Sequence, residues 1–215
     1  MLNIRFKGIY EDEESIKRAS KLRKNSTIFN EEATAQEFGK RSTAFVTPLI
    51  LAMIIIALIV SELKHVKFEL TPKEIIIGVL ILIPLSILVQ LIHVLTYPKE
   101  AKKDIYLVKK DLGIFLLSNS LVSKKRYILI CLMPTIILSF IPYIIMLIFM
   151  DKLPVKLANY IYIDSIAINI VTAGSLLTAY RTIKQVPKDA QVFNHGYHSY
   201  WEKEKHAKHK IQRKI

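Results

Sequence analysis

Ser86, Gln90, His93 and Tyr97 recur at i, i+4, i+7 and i+11. That spacing places side chains along one stripe of an α-helix. All four lie in an apolar run from Glu74 to Tyr97. Polar groups in such a run cost free energy in hydrocarbon and usually face protein or a water-filled cavity. A second set, Ser165, Asn169, Thr172 and Ser175, falls near one face of a later apolar run, Ala158 to Tyr180. If the two stripes lie at similar depth, they form one intramembrane polar groove. Hydrogen bonding between helices is its plainest use, at about 0.6–2 kcal/mol per contact. A ligand or ion cavity and a metal-dependent catalytic site are the sharper uses. Asp164 is the one acid of the later run and lies toward its outer half, where it is either a hydrated interfacial acid, the plainer expectation, or a buried functional carboxylate.

The elements that must position these residues are membrane spans. The chain has 215 residues, 52% of them hydrophobic, and a net charge of +13. A mean hydropathy of +0.31 beside 23% charged residues requires segregation of the two kinds. Four apolar runs, about 44–60, 74–97, 127–150 and 158–180, alternate with basic segments. Each is long enough to cross about 30 Å of hydrocarbon at 1.5 Å per residue. Helix is the expected conformation, because backbone groups in lipid must bond within their own segment. The composition excludes an ordinary water-soluble enzyme and a disordered chain. Cys131 is the single cysteine and lies in an apolar run, so a disulfide framework and a cysteine metal site are excluded. No secretory signal is read, since the first apolar run follows seven carboxylates and is too long for a signal core.

Lysine and arginine set the orientation. Segments 1–43, 98–126 and 181–215 hold twenty-six of them, and the loops 61–73 and 151–157 hold five. The positive-inside rule puts both termini and the middle loop in the cytoplasm of a multi-pass cell-membrane protein. The expected fold class is an all-α membrane protein, four transmembrane helices under a small cytoplasmic cap. Segment 1–43 supplies a short strand at Asn3–Tyr10, a mixed-charge helix at Glu11–Lys24 and an irregular stretch at Asn25–Arg41. In the loop 98–126, Ile105–Val108 and Ile114–Leu117 flank a glycine-containing turn and predict a β-hairpin. The basic tail 181–215 ends in a helical stretch. It carries the pairs His195/His198 and His206/His209, whose lysine-rich surroundings favour anionic lipid over a metal. Pro84, Pro134 and Pro142 each free a backbone carbonyl within a span.

Leu91-Ile92-His93-Val94-Leu95-Thr96-Tyr97-Pro98 resembles the motif region of a bacterial family of zincin-like membrane peptidases, similar in plan to site-2 proteases. Ser123–Ile128 leading to Pro134 and Pro142 supports the resemblance, as do Thr172–Leu177, Pro187–Ala190 and Asn194-His195-Gly196. The resemblance implies an HExxH helix, two histidines holding zinc and a glutamate activating its water. It also implies an aspartate after Ala-Gly in the last span as third ligand. The matching residues here are Val89, Gln90 and His93 on the second span and Ser175 on the fourth. Valine donates no lone pair, and glutamine takes no proton near neutral pH. One imidazole falls short of the three protein ligands of a catalytic zinc.

The expected protein is therefore a non-catalytic pseudo-peptidase without zinc or another cofactor, with no catalytic residue and His93 as its one candidate metal ligand. Its partners are the lipid bilayer and another membrane protein or peptide, bound in a regulatory or protective role; nucleic acid has no motif behind it. The candidate groove residues are Ser86, Gln90, His93, Tyr97, Asn169, Thr172 and Ser175. Two alternatives are a zinc metallopeptidase with non-standard ligands and a small-molecule or ion carrier using Asp164.

Overall fold

A computed structural model describes residues 3–10, 22–23, 25–66, 71–108, 113–195 and 198–203. Helix α1 spans Ala35–Leu63 and so begins within the stretch expected to be irregular. Thr34 decides this start: its hydroxyl accepts the Glu37 N–H at 3.2 Å, and Glu37 adds an acid to the first turn. Helix α2 spans Pro72–Thr96 and opens with a full capping box between Thr71 and Glu74. The third apolar segment is one 26-residue rod. It comprises α3 (Lys124–Thr135), a π-helical stretch (Ile136–Phe140) and α4 (Ile141–Phe149). The fourth divides into α5 (Val155–Val171) and α6 (Ala173–Gln185), bent by 55° at Thr172.

Three helices are thus long and apolar enough to cross a membrane, and the bent pair counted as one span makes a fourth. Their outer faces carry bare aliphatic side chains such as Leu58, Ile83 and Leu95, each more than half exposed. Such a belt suits lipid and not water.

Successive long segments run in opposite directions. At one end, the short connections after α1 and α4 are joined by Lys64 and Asp151 at 2.6 Å. At the other end lie two small sheets. The first has the order β1 (Ile4–Tyr10), β3 (Lys103–Val108), β4 (Gly113–Leu117), with β1 parallel and β4 antiparallel to β3. The sequence-predicted strand and hairpin are both here; the turn 109–112 lies outside the described residues. Gly8, at φ +93°, sits where the β1–β3 register shifts by one residue. The second sheet has the order β2 (Thr27–Ile28), β7 (His198–Lys203), β6 (Ala190–His195), β5 (Val122–Ser123). The β6–β7 hairpin occupies tail residues for which no strand was expected. The predicted helix at Glu11–Lys24 and the helical end of the tail fall almost wholly outside the described residues.

Two main apolar clusters hold the molecule. Under the second sheet, Phe29, Tyr97, Tyr127, Ile130 and Val192 pack together. Toward the other end, Met53, Ala57, Tyr143, Met146 and Tyr162 fill the space between helices.

Candidate functional site

A cavity of about 560 Å³ opens where the helices meet the β-rich end. Helix α2 contributes Ser86, Gln90 and His93, with Tyr97 just past its last turn. The predicted stripe on that helix therefore faces one space. Helix α6 contributes Gly174, Ser175 and Thr178 from the opposite wall. No hydrogen bond ties the side chains of Gln90, His93 or Ser175 to another described residue, whereas Ser86 donates to the Ile83 carbonyl at 2.7 Å.

Asn169 and Thr172 do not line the cavity, contrary to the groove expected from sequence. Thr172 accepts from Thr135 Oγ1 and donates to the Ile168 carbonyl, both at 2.7 Å. A side chain bonding back to residue i−4 favours a bend, and the helix turns here. Beyond the bend Ser175 lines the cavity, and before it Ser165, Asn169 and Thr172 stay against the third segment. There the Asn169 amide donates to Ser139 Oγ at 2.6 Å and to the Ser165 carbonyl at 2.8 Å. Ser139 sits in the π-helical stretch and donates to the same Ser165 carbonyl. These residues fasten helices together. Asp164 also stands away from the cavity; its Oδ1 is buried without a hydrogen bond among the described residues.

The remaining walls come from chain far away in sequence. A polar network lines one side: Tyr97 Oη donates to Asn194 Oδ1 at 3.5 Å, and Asn194 Nδ2 donates to Tyr127 Oη at 3.0 Å. Tyr127 Oη lies 3.3 Å from Ser199 Oγ, and the Ser199 N–H donates to Glu31 Oε2 at 3.1 Å. His198 Nδ1 approaches the same carboxylate at 3.4 Å. Burial pushes the Glu31 carboxyl above its ordinary range, and the Ser199 N–H, its hydroxyl and His198 draw it back. Next to it, Glu32 accepts two bonds from Arg181 Nη2 at 2.6 and 2.8 Å, which hold its carboxyl below the ordinary range. His195 lies opposite His198 in the β6–β7 ladder and meets the Tyr200 ring edge-on. Leu116 and Leu117 of β4, an edge strand of its sheet, complete the lining with Phe38 and Cys131.

Sequence reasoning missed Glu31, Glu32, Phe38 and Arg181, because no local pattern connects the N-terminal segment to α6. The capping motif at Thr34–Glu37 was the one available signal, since it places the end of that segment at the start of α1.

The family model described as "Putative zincin peptidase" matches residues 80–191, just over half of the chain. The chain belongs to that family. No curated protein and no solved structure shows a significant match.

The matched region carries α2 from its middle to its end and all of α6, and so includes Val89, Gln90, His93 and Ser175, the positions to which the resemblance assigns zinc ligands and a base. The donors present do not fit a zincin centre. His93 is the one imidazole on the α2 face, and Val89, one turn earlier, is 3% exposed and apolar. Gln90 and Ser175 are neutral. Among the described residues, no three His, Cys, Asp or Glu side chains are grouped so that they could hold a metal ion. What the arrangement offers instead is a set of neutral donors and acceptors inside a largely apolar hollow, with carboxylates at its rim.

Proposed function

We propose that this chain is a membrane-embedded pseudo-peptidase. It binds a membrane protein or peptide in the cavity between α2 and α6 and does not hydrolyse it. The observation carrying this reading is that Gln90, His93 and Ser175 face one cavity with their hydrogen-bonding capacity uncommitted to other described residues. A glutamine amide presents one donor group and one acceptor, as a peptide bond does, and serine and neutral imidazole each present both. An extended peptide at membrane depth has backbone groups that are costly to leave unpaired. The cavity supplies partners for them. The edge of β4 beside Leu116 and Leu117 offers further main-chain partners by strand addition. No carboxylate stands at position 90 to accept a proton, so binding has no hydrolytic step to follow it. The consequence of binding is then regulatory or protective.

The test places photo-crosslinking residues at Gln90 and Ser175, with a control at lipid-facing Ile76. The expected result is one polypeptide segment captured from both cavity positions and not from the control, and lost when Thr178→Trp fills the space. Adducts to lipid alone would overturn the reading. So would about one zinc per purified chain that disappears in His93→Ala, a result that points to a working metallopeptidase.

A further inference from the structure

One wall of the cavity differs in kind from the rest. Residues 29–34 form a strap between β2 and α1, and Glu31, Glu32, Ala33 and Thr34 line the hollow. The other walls come from helices and from paired strands, and two of those helices interlock closely: a methyl group on Gly174 would lie 2.9 Å from the Phe38 ring. The strap belongs to no helix. Its β-pairing is the two-residue strand β2 against Tyr200 and Trp201.

Separate ties hold it down. The Phe29 N–H donates to the Ser199 carbonyl at 3.0 Å, and the Asn30 N–H donates to Gln185 Oε1 at 2.8 Å. Glu31 takes the Ser199 N–H, and Glu32 takes Arg181. The last tie is incompletely satisfied, because Arg181 Nη1 is buried without a hydrogen bond among the described residues. An unsatisfied buried donor burdens the closed arrangement. A segment held by one buried ring and a few polar contacts opens more readily than packed helices do.

We infer that residues 29–34 are a gate over the cavity, latched to β7 through Glu31 and to α6 through Glu32 and Arg181, and that release of the latch admits the bound segment. The inference deepens the peptide-binding reading and rests on it.

Cys131 reports on the gate directly. It is the single cysteine, lines the cavity and is 6% exposed. The experiment follows its alkylation by N-ethylmaleimide, by mass spectrometry, in the full-length protein in detergent and well below its melting temperature. Glu32→Gln removes the charge that pairs with Arg181, and Gln185→Ala removes both bonds between the Gln185 amide and the Asn30 backbone, at 2.8 and 3.5 Å. Asp151→Asn breaks the Lys64 pair at the far end of the molecule and serves as the control. The expected result is labelling about five- to tenfold faster in both strap variants, in line with the net worth of one hydrogen-bonded tie that holds the closed form. The control keeps the native rate.

Native rates in both strap variants would overturn the gate, as would an equal rise in the control. If Glu32→Gln fails to fold, Gln185→Ala decides alone. No peptide is present in this assay. A negative result therefore removes the gate and leaves the crosslinking test of the binding site standing.

Discussion

At the scale of single residues, Glu31 and Glu32 stand side by side and their titrations pull in opposite directions. Arg181 holds the Glu32 carboxyl below its ordinary range. Its contribution is present above the unfolded value and is lost as pH falls through the lower folded value. Burial raises the Glu31 carboxyl. The charge on Glu31 therefore opposes closure near neutral pH, and its contribution to the closed form is full only below the unfolded value. Two variants separate the pair. Glu31→Gln keeps an acceptor for the Ser199 N–H and removes a burdensome charge, so the strap stays seated at pH 7. Glu32→Gln loosens it there and flattens the acid-side transition. Trp201, the single tryptophan, pairs across from Thr27 and reads both through its emission. Unchanged emission in Glu32→Gln at pH 7, or a red shift in Glu31→Gln, would contradict this assignment. The α2 half of the site was legible in the sequence, because Ser86, Gln90, His93 and Tyr97 share a continuous helix face. The α6 half was legible at Ser175 alone. A projection through Thr172 assumes an unbroken helix, and the bend sends the residues on its two sides to different neighbours.

At the scale of elements, hydropathy located the long helices, since lipid demands unbroken apolar length whatever the tertiary contacts. It missed the first nine residues of α1, which are mostly polar and begin at the Thr34 cap. It also missed the β6–β7 hairpin, whose Gln191, Asn194 and His195 do not alternate with apolar residues. Their partners Glu202, Ser199 and His198 are paired by backbone ladder geometry. Close approach between elements is set by glycine at two places. A Cβ on Gly78 would meet Ile163 Cγ2 at 2.6 Å where α2 crosses α5, and one on Gly174 would meet Phe38 Cε1 at 2.9 Å where α6 crosses α1. Gly39, within α1, faces open space: a Cβ there would meet no atom within 4 Å. Gly78→Ala and Gly174→Ala should each cost about 1–3 kcal/mol through forced shifts of packed side chains. Gly39→Ala should stabilise α1 by about 0.5–1 kcal/mol, the helix-propensity gain of alanine. Unfolding in a denaturing detergent series checks the three together. Equal effects at all three positions would mean that propensity, and not interhelical contact, governs them.

At the scale of the whole molecule, two asymmetries coincide. The strap, the hairpin strands β3 and β4 and the β6–β7 hairpin gather at one end, and the pair Lys64–Asp151 marks the other. In sequence, segments 1–43, 98–126 and 181–215, which supply the strands of that end, carry twenty-six of the lysines and arginines, and the loops 61–73 and 151–157 carry five. If the long segments cross a bilayer, these ends lie on its opposite sides, and the positive-inside rule predicts that the basic end stays on the side of synthesis. Anionic lipid on that side adds about 1 kcal/mol for each basic residue near the surface. The cavity and its strap would then open toward the cytoplasm, so a bound segment would have to arrive from that side or along the inner leaflet. Single cysteines in a Cys131→Ala background test the orientation. Lys152→Cys should react with a membrane-impermeant maleimide in intact cells, and Ser26→Cys only after permeabilisation. The reverse pattern would place the cavity mouth outside the cell, and the partner would then have to be sought among exported proteins.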